Sequence, residues 1–194
     1  YSKEDAASNG CNKRNGSRTA RIIKKFGIEV IMEIILEKVE ISQKDILFRL
    51  LQYSLFEESL NDQNEMNNEA IFEYEWFENY FIDTEREAYF IREKRTNKLL
   101  GFAMINTYVQ RVNSGHSIAE FMVIPKYRRN RVGKNAAIQC FEKHKGNWEI
   151  SPSYGSEQAY QFWENVVREY TDGNYHLDQD VFVFCRLEKP NRYI

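Results

Sequence analysis

Residues 119–137 read AEFMVIPKYRRNRVGKNAA, and their order decides how the rest of the chain is assembled. An apolar segment stops at Pro125, which cannot donate to a ladder and pushes the residue before it into extended backbone. A basic loop follows with Arg128, Arg129 and Arg131, and a helix opens at Val132, Gly133 and Lys134. This order of strand, proline, basic loop and helix start suits an anion. A helix N-terminus offers unpaired N–H groups and partial positive charge. Gly133 lets a ligand approach the backbone closely, and the surrounding cations hold phosphate without a metal.

Working upstream, Ala88–Glu93 and Leu99–Val109 flank a turn at Thr96-Asn97-Lys98 and predict a hairpin. Asn113-Ser114-Gly115 is the next turn, and Ser117–Ile124 a third strand of the meander. Further back, Glu33–Glu40 reads as a short strand. Ser42 is placed to cap a helix reaching Asn61, with Leu47, Leu50, Leu51, Ser54 and Leu55 on one face. Asn61–Asn68 is a polar loop. Phe72–Phe81 sets Trp76, Phe77, Tyr80 and Phe81 at helical spacing and predicts a second short helix. Downstream, the helix opened at Val132 runs to about His144, and Asn147–Ser151 is a strand. Ser156 caps a helix to Tyr170 whose core face is Ala159, Phe162, Trp163, Val166 and Val167. After a turn at Asp172-Gly173-Asn174, Val181–Leu187 closes the series as a strand. The order implies an α/β (α+β) domain, a mixed and mostly antiparallel sheet flanked by helices.

The bulk composition fits this. A chain of 194 residues with 42% hydrophobic content can bury one sizeable core. A net charge of −2 predicts neither nucleic-acid nor membrane affinity, and no apolar run reaches the ~18 residues of a membrane span. Cys11, Cys140 and Cys185 are odd in number and widely spaced, which suggests neither a disulfide framework nor a metal site and fits a reducing cytoplasm. Residues 1–31 differ: seven Lys or Arg face three acids, a balance of +4 that leaves −6 on the remainder. They read as a basic N-terminal extension or cloning remnant ahead of a domain over 32–194, or as an arm for an acidic partner.

The segment from Val123 to Gly133 resembles the acyl-coenzyme A signature of the GNAT superfamily of N-acetyltransferases, R/Q-x-x-G-x-G/A, with a V-x-P-x-Y-R lead-in. Val123, Pro125, Tyr127 and Arg128 match the lead-in, and Gly133 takes the last signature position; Arg131 stands where the family has its first glycine. Residues 156–163, SEQAYQFW, are similar to the family's N-x-x-A-x-x-F-Y helix start, with Ser156 for asparagine and Trp163 for tyrosine. The resemblance implies acetyl-coenzyme A as cofactor, its pyrophosphate held by Arg128, Arg129, Asn130, Arg131, Val132, Gly133 and Lys134. It implies that the strand ending at Ile124 splays from its neighbour, so that backbone amides of Met122 and Val123, with Ser156, hold the pantetheine arm. It implies transfer to a primary amine, on a small molecule or peptide, by direct attack in a ternary complex.

A protonated amine needs a base, and Glu120, just before the splay, is the candidate. Tyr160 or Tyr154 would serve as an acid; the indole of Trp163 cannot. The resemblance further implies that the acceptor side is built at Leu55–Phe81, whose acids and aromatics favour a cationic amine. The alternative is a cofactor-binding sensor domain without turnover. By family analogy Val181–Leu187 is a possible homodimer edge. His116, His144 and His176 read as surface or turn residues, and Cys140 as a small buried hydrophobe.

Overall fold

The computed structural model describes residues 32–186, and the basic segment 1–31 lies outside them. A seven-stranded sheet has the order β1-β2-β3-β4-β5-β7-β6. Its strands are β1 Ile34–Lys38, β2 Arg86–Glu93, β3 Leu99–Asn106, β4 His116–Val123, β5 Gly146–Ile150, β6 His176–Asp178 and β7 Val181–Arg186. Every neighbouring pair is antiparallel except β4 and β5. Three α-helices flank the sheet: α1 Lys44–Glu58, α2 Val132–Lys143 and α3 Glu157–Tyr170. The expected mixed sheet is therefore present. Among the described residues no helix is long and apolar enough to cross a membrane.

Period-two alternation splits the strand residues between two faces. Phe90, Phe102, Met104 and Met122 pack with Leu47, Leu50, Leu51 and Leu55 of α1. Tyr89, Ala103, Ile105 and Ile118 pack with Ala137, Cys140 and Phe141 of α2 and Trp163, Val166 and Val167 of α3. A third cluster joins Ile91, Leu100 and Val123 to Val132 and Ala136 at the start of α2.

Several local expectations are corrected. Ser42 caps nothing; it lies in a 3-10 turn, Ile41–Gln43, where Glu40 and Gln43 form a reciprocal capping box. Helix α1 ends at Glu58, short of Asn61. Phe72–Phe81 is not an α-helix: only Glu78–Phe81 winds, as a 3-10 turn. Its rings fill space over α1 instead, Phe77 meeting Phe48 at 5.1 Å and Phe81 at 5.6 Å. Tertiary packing overrides the helical spacing here. Strand β6 is absent from the expected series, and it pairs with Val181–Val183 of β7. The proposed dimer edge is thus covered along that half by the chain itself.

Candidate active site

Strands β4 and β5 pair only at His116/Trp148 and Ser117/Glu149. Beyond these rungs they diverge, and the gap opens a cleft of about 700 Å³. Phe121, Met122 and Val123 of β4 form one wall; Ser156 and, from α3, Ala159, Phe162 and Trp163 form another. Glu57 and Glu58 line it from α1, and Arg128, Arg129, Arg131, Gly133 and Lys134 from the basic loop and α2.

The ladder register decides which main-chain groups face the gap. The Ile124 N–H donates to the Leu100 carbonyl at 2.8 Å, and Met122 is paired with Phe102. Antiparallel alternation then turns the N–H and C=O of Phe121 and Val123 away from β3, into the gap. The Val123 carbonyl accepts from Arg128 Nε at 2.7 Å, which agrees with that direction. Of the two amides expected to meet the pantetheine arm, Val123 faces the cleft, whereas the Met122 backbone is turned to β3.

Helix α2 begins without a side-chain cap. The first helical bond runs from Asn135 N–H to the Arg131 carbonyl, so the N–H groups of Val132, Gly133 and Lys134 have no partner within the helix. Arg131 occupies the left-handed region at φ 59°, and Arg129 does so at φ 62°. The family's first glycine thus stands where this backbone bends left-handed, and Arg131 adopts that bend at a cost of about 1–2 kcal/mol. A Cβ on Gly133 would lie 3.2 Å from the Phe162 ring, so the close approach this glycine admits is that of Phe162 rather than the expected ligand; Phe162 in turn stacks on Phe121 at 5.9 Å.

The cations of this loop are partly engaged. Arg128 Nη2 donates to both Glu57 carboxylate oxygens, at 2.9 and 2.6 Å, and Lys134 pairs with Glu169. Asn130 donates to the carbonyls of Tyr127 and Arg128, and Val132 is buried in the third core cluster, so neither side chain lines the cleft. The Ser156 hydroxyl accepts from the Ala159 N–H at 3.2 Å as cap of α3, while its side remains on the cleft wall. Trp163 is core, edge-on to Phe121 at 5.1 Å. The structure does not bring Tyr160 to the cleft: its ring packs on Phe182 at 5.2 Å. Tyr154 is exposed and does not line the cleft either.

Glu120 is buried, at 9% exposure, and its Oε2 lacks a hydrogen-bond partner. Burial raises its pKa to about 8; the Glu58 carboxylate adds to the rise, and a hydrogen bond with Tyr74 opposes it. Glu58 is raised as well, mainly by burial, against a hydrogen bond from Ser153 Oγ at 3.2 Å. Burial pushes the Tyr74 phenol up, with Glu120 contributing. Tyr80 is raised to about 12, again by burial first. Glu58 and Tyr74 stand among the acids and aromatics of the acceptor region, but nothing local marks their proximity to Glu120, which lies 62 and 46 residues further along the chain.

Basic loop, bare helix start and splayed strands form one continuous cleft, as an extended phosphate-bearing thioester cofactor requires. Solved structures share the architecture. An acetyltransferase from Thermus thermophilus is similar at a TM-score of 0.58 and 12% identity, over 80% of this chain and 99% of that one. A probable acetyltransferase is similar at 0.51 and 16%, over 82% and 97%. A search of curated proteins finds no match. The family model described as Acetyltransferase (GNAT) family matches residues 53–167, more than half of the chain. On that match and this fold, the chain belongs to the GNAT acetyltransferase family.

Proposed function

We propose that the protein transfers an acetyl group from acetyl-coenzyme A to a primary amine, with both bound together. The observation that carries this reading is a cleft whose walls join a cation-rich helix start to the end of β4, where its pairing with β5 has stopped. When bound, the cofactor supplies the acetyl group as a thioester.

The residues divide the work. The N–H groups of Val132, Gly133 and Lys134, with Arg128, Arg129, Arg131 and Lys134, hold the pyrophosphate. The Val123 N–H, at the open edge of β4, serves as an oriented donor where charge develops. Phe121 and Phe162 wall the gap against water. Glu120 takes the proton of the incoming ammonium, and Tyr74 holds its carboxylate in place. With a pKa near 8, Glu120 is a stronger base than an ordinary carboxylate and is still ionised in a useful fraction at neutral pH. No side chain is assigned as general acid, since a thiolate leaves readily.

The test is release of free thiol from acetyl-coenzyme A across an amine panel, beside calorimetric binding of the cofactor. Amine-dependent release with intersecting initial-velocity lines is expected. Cofactor binding without turnover on any amine would overturn the reading in favour of a sensor.

A further inference from the structure

The sheet has two parts, β1 to β4 and β5 with β7 and β6, and only two rungs pair them. The last rung is Ser117/Glu149, so Glu149 stands where the strands part. Trp148 and Ile150 belong to the core under α2 and α3, and alternation puts the Glu149 side chain on the opposite face. Among the described residues, the core cluster on that face takes none from β5, β6 or β7. Hydrogen bonds span the two parts there instead. The Glu149 carboxylate, 5% exposed, accepts the backbone N–H groups of Gln110 at 2.9 Å, Val112 at 2.8 Å and Arg111 between them. All three residues lie in the connection from β3 to β4. The same connection reaches further. Arg111 Nε lies 3.3 Å from Asp178 Oδ2 of β6, and Asn147 Nδ2 of β5 donates to the Ser114 carbonyl at 3.0 Å. A carboxylate has the lone pairs to accept all three N–H donors, whereas an amide in its place would set an NH2 group against one of them.

We propose that Glu149 is a positioning residue: by clamping residues 110–112 to β5 it sets the angle at which β4 and β5 part, and so the width of the gap that takes the pantetheine arm. The proposal rests on the cofactor half of the acetyl-transfer reading above. Leverage gives the clamp its effect. Val123 lies beyond the last rung by about 20 Å of strand, and a tilt of about 5° about the rungs moves it by about 2 Å. A misplacement of about 1 Å is enough to cost about a hundredfold in rate. The core under α2 and α3 contains residues of both parts, among them Ile118, Trp148 and Phe182, and holds them together through such a tilt. Loss of the clamp therefore changes the angle and leaves the fold.

Calorimetric titration of the full chain with coenzyme A and with ADP, which carries a pyrophosphate without the pantetheine arm, tests this. Glu149→Gln is expected to weaken coenzyme A binding about tenfold, as for a binding-competent population reduced to about a tenth, and to leave ADP binding unchanged. A second measurement needs no ligand. Spin labels are placed at two exposed positions, Lys126→Cys beyond β4 and Glu157→Cys at the start of α3, in a Cys11→Ser, Cys185→Ser background. Their separation is expected to lengthen by about 2 Å when Glu149→Gln is added. Arg111→Ala cuts the tie to β6 and leaves the carboxylate in place, so it keeps the test valid if the Glu149 variant does not fold. It is expected to weaken coenzyme A severalfold, again with ADP unchanged. An equal change in coenzyme A and ADP affinity, or an unchanged label separation, overturns the proposal. Failure of the unsubstituted chain to bind coenzyme A counts against acetyl transfer, whereas the label separation still decides the clamp.

Discussion

Glu120 is under two opposed demands. Burial without a full set of donors makes it a competent base and also a burden on the fold. Its folded pKa is raised from 4.5 to about 8, so the folded state binds its proton more tightly than the unfolded chain. Stability is therefore full at low pH and is lost as pH rises through about 8. Glu120→Gln removes this loss: thermal unfolding at pH 9 is expected to show a higher Tm for the variant than for the wild type, with the difference vanishing near pH 4. The same variant is expected to lose the limb of kcat/KM that rises with pH to an inflection near 8, and about two or more orders of magnitude in rate. An unchanged pH–rate profile would remove Glu120 from the mechanism. Arg131 is the second informative residue. Arg131→Gly and Arg131→Ala both delete the side chain, and only glycine accepts φ 59° freely. Urea unfolding is expected to place the glycine variant about 1 kcal/mol above the alanine one. Arginine by itself gives no hint of left-handed backbone, and only the resemblance to a glycine position does.

At the scale of elements, the cleft depends on how β3 holds β4. A Cβ on Gly101 would come within 2.0 Å of the Met122 carbonyl oxygen. Gly101→Ala is therefore expected to push β4 from β3, to cost about 2–3 kcal/mol of stability by urea unfolding, and to weaken coenzyme A binding measured by calorimetry. Unaltered binding in that variant would show that the cleft does not rely on this close approach. The elements are legible where one face repeats. The α1 residues Leu47, Leu50, Leu51, Ser54 and Leu55 are all buried, as their spacing predicts. The reading fails where packing sets conformation. The rings of Phe72–Phe81 share a helical spacing but are held by α1, and β6 is three exposed residues with no alternation to detect. The anion loop can be read because it is contiguous. Glu58, Tyr74 and Glu120 cannot be joined from sequence, because only the sheet and α1 bring them together. Tyr160 departs from its expected place because it sits on a different face of α3 from the cleft-lining Ala159 and Phe162.

For the molecule as a whole, acid sensitivity is expected from the far end of the sheet. His116 at the start of β4 and His144 at the end of α2 lie 4.9 Å apart ring to ring, both against Trp148. Burial lowers both from the ordinary 6.5, opposed at each by Glu87. The unfolded chain then binds more protons than the folded one, so stability is full above about 6.5 and falls as pH drops below it. A double His116→Gln, His144→Gln variant is expected to flatten the fall in Tm between pH 6.5 and 5, where the wild type loses stability. At its other end the molecule is organised around the cleft, and Glu57 and Glu169 neutralise the cations that a phosphate would take. The central claim is that acetyl-coenzyme A lies between β4 and β5 with its pyrophosphate on the start of α2. Hydrogen–deuterium exchange with and without the cofactor reads this directly. Slowed exchange concentrated at Val123 and Val132–Lys134 is the predicted result, and unchanged exchange there, with protection elsewhere or nowhere, would contradict it.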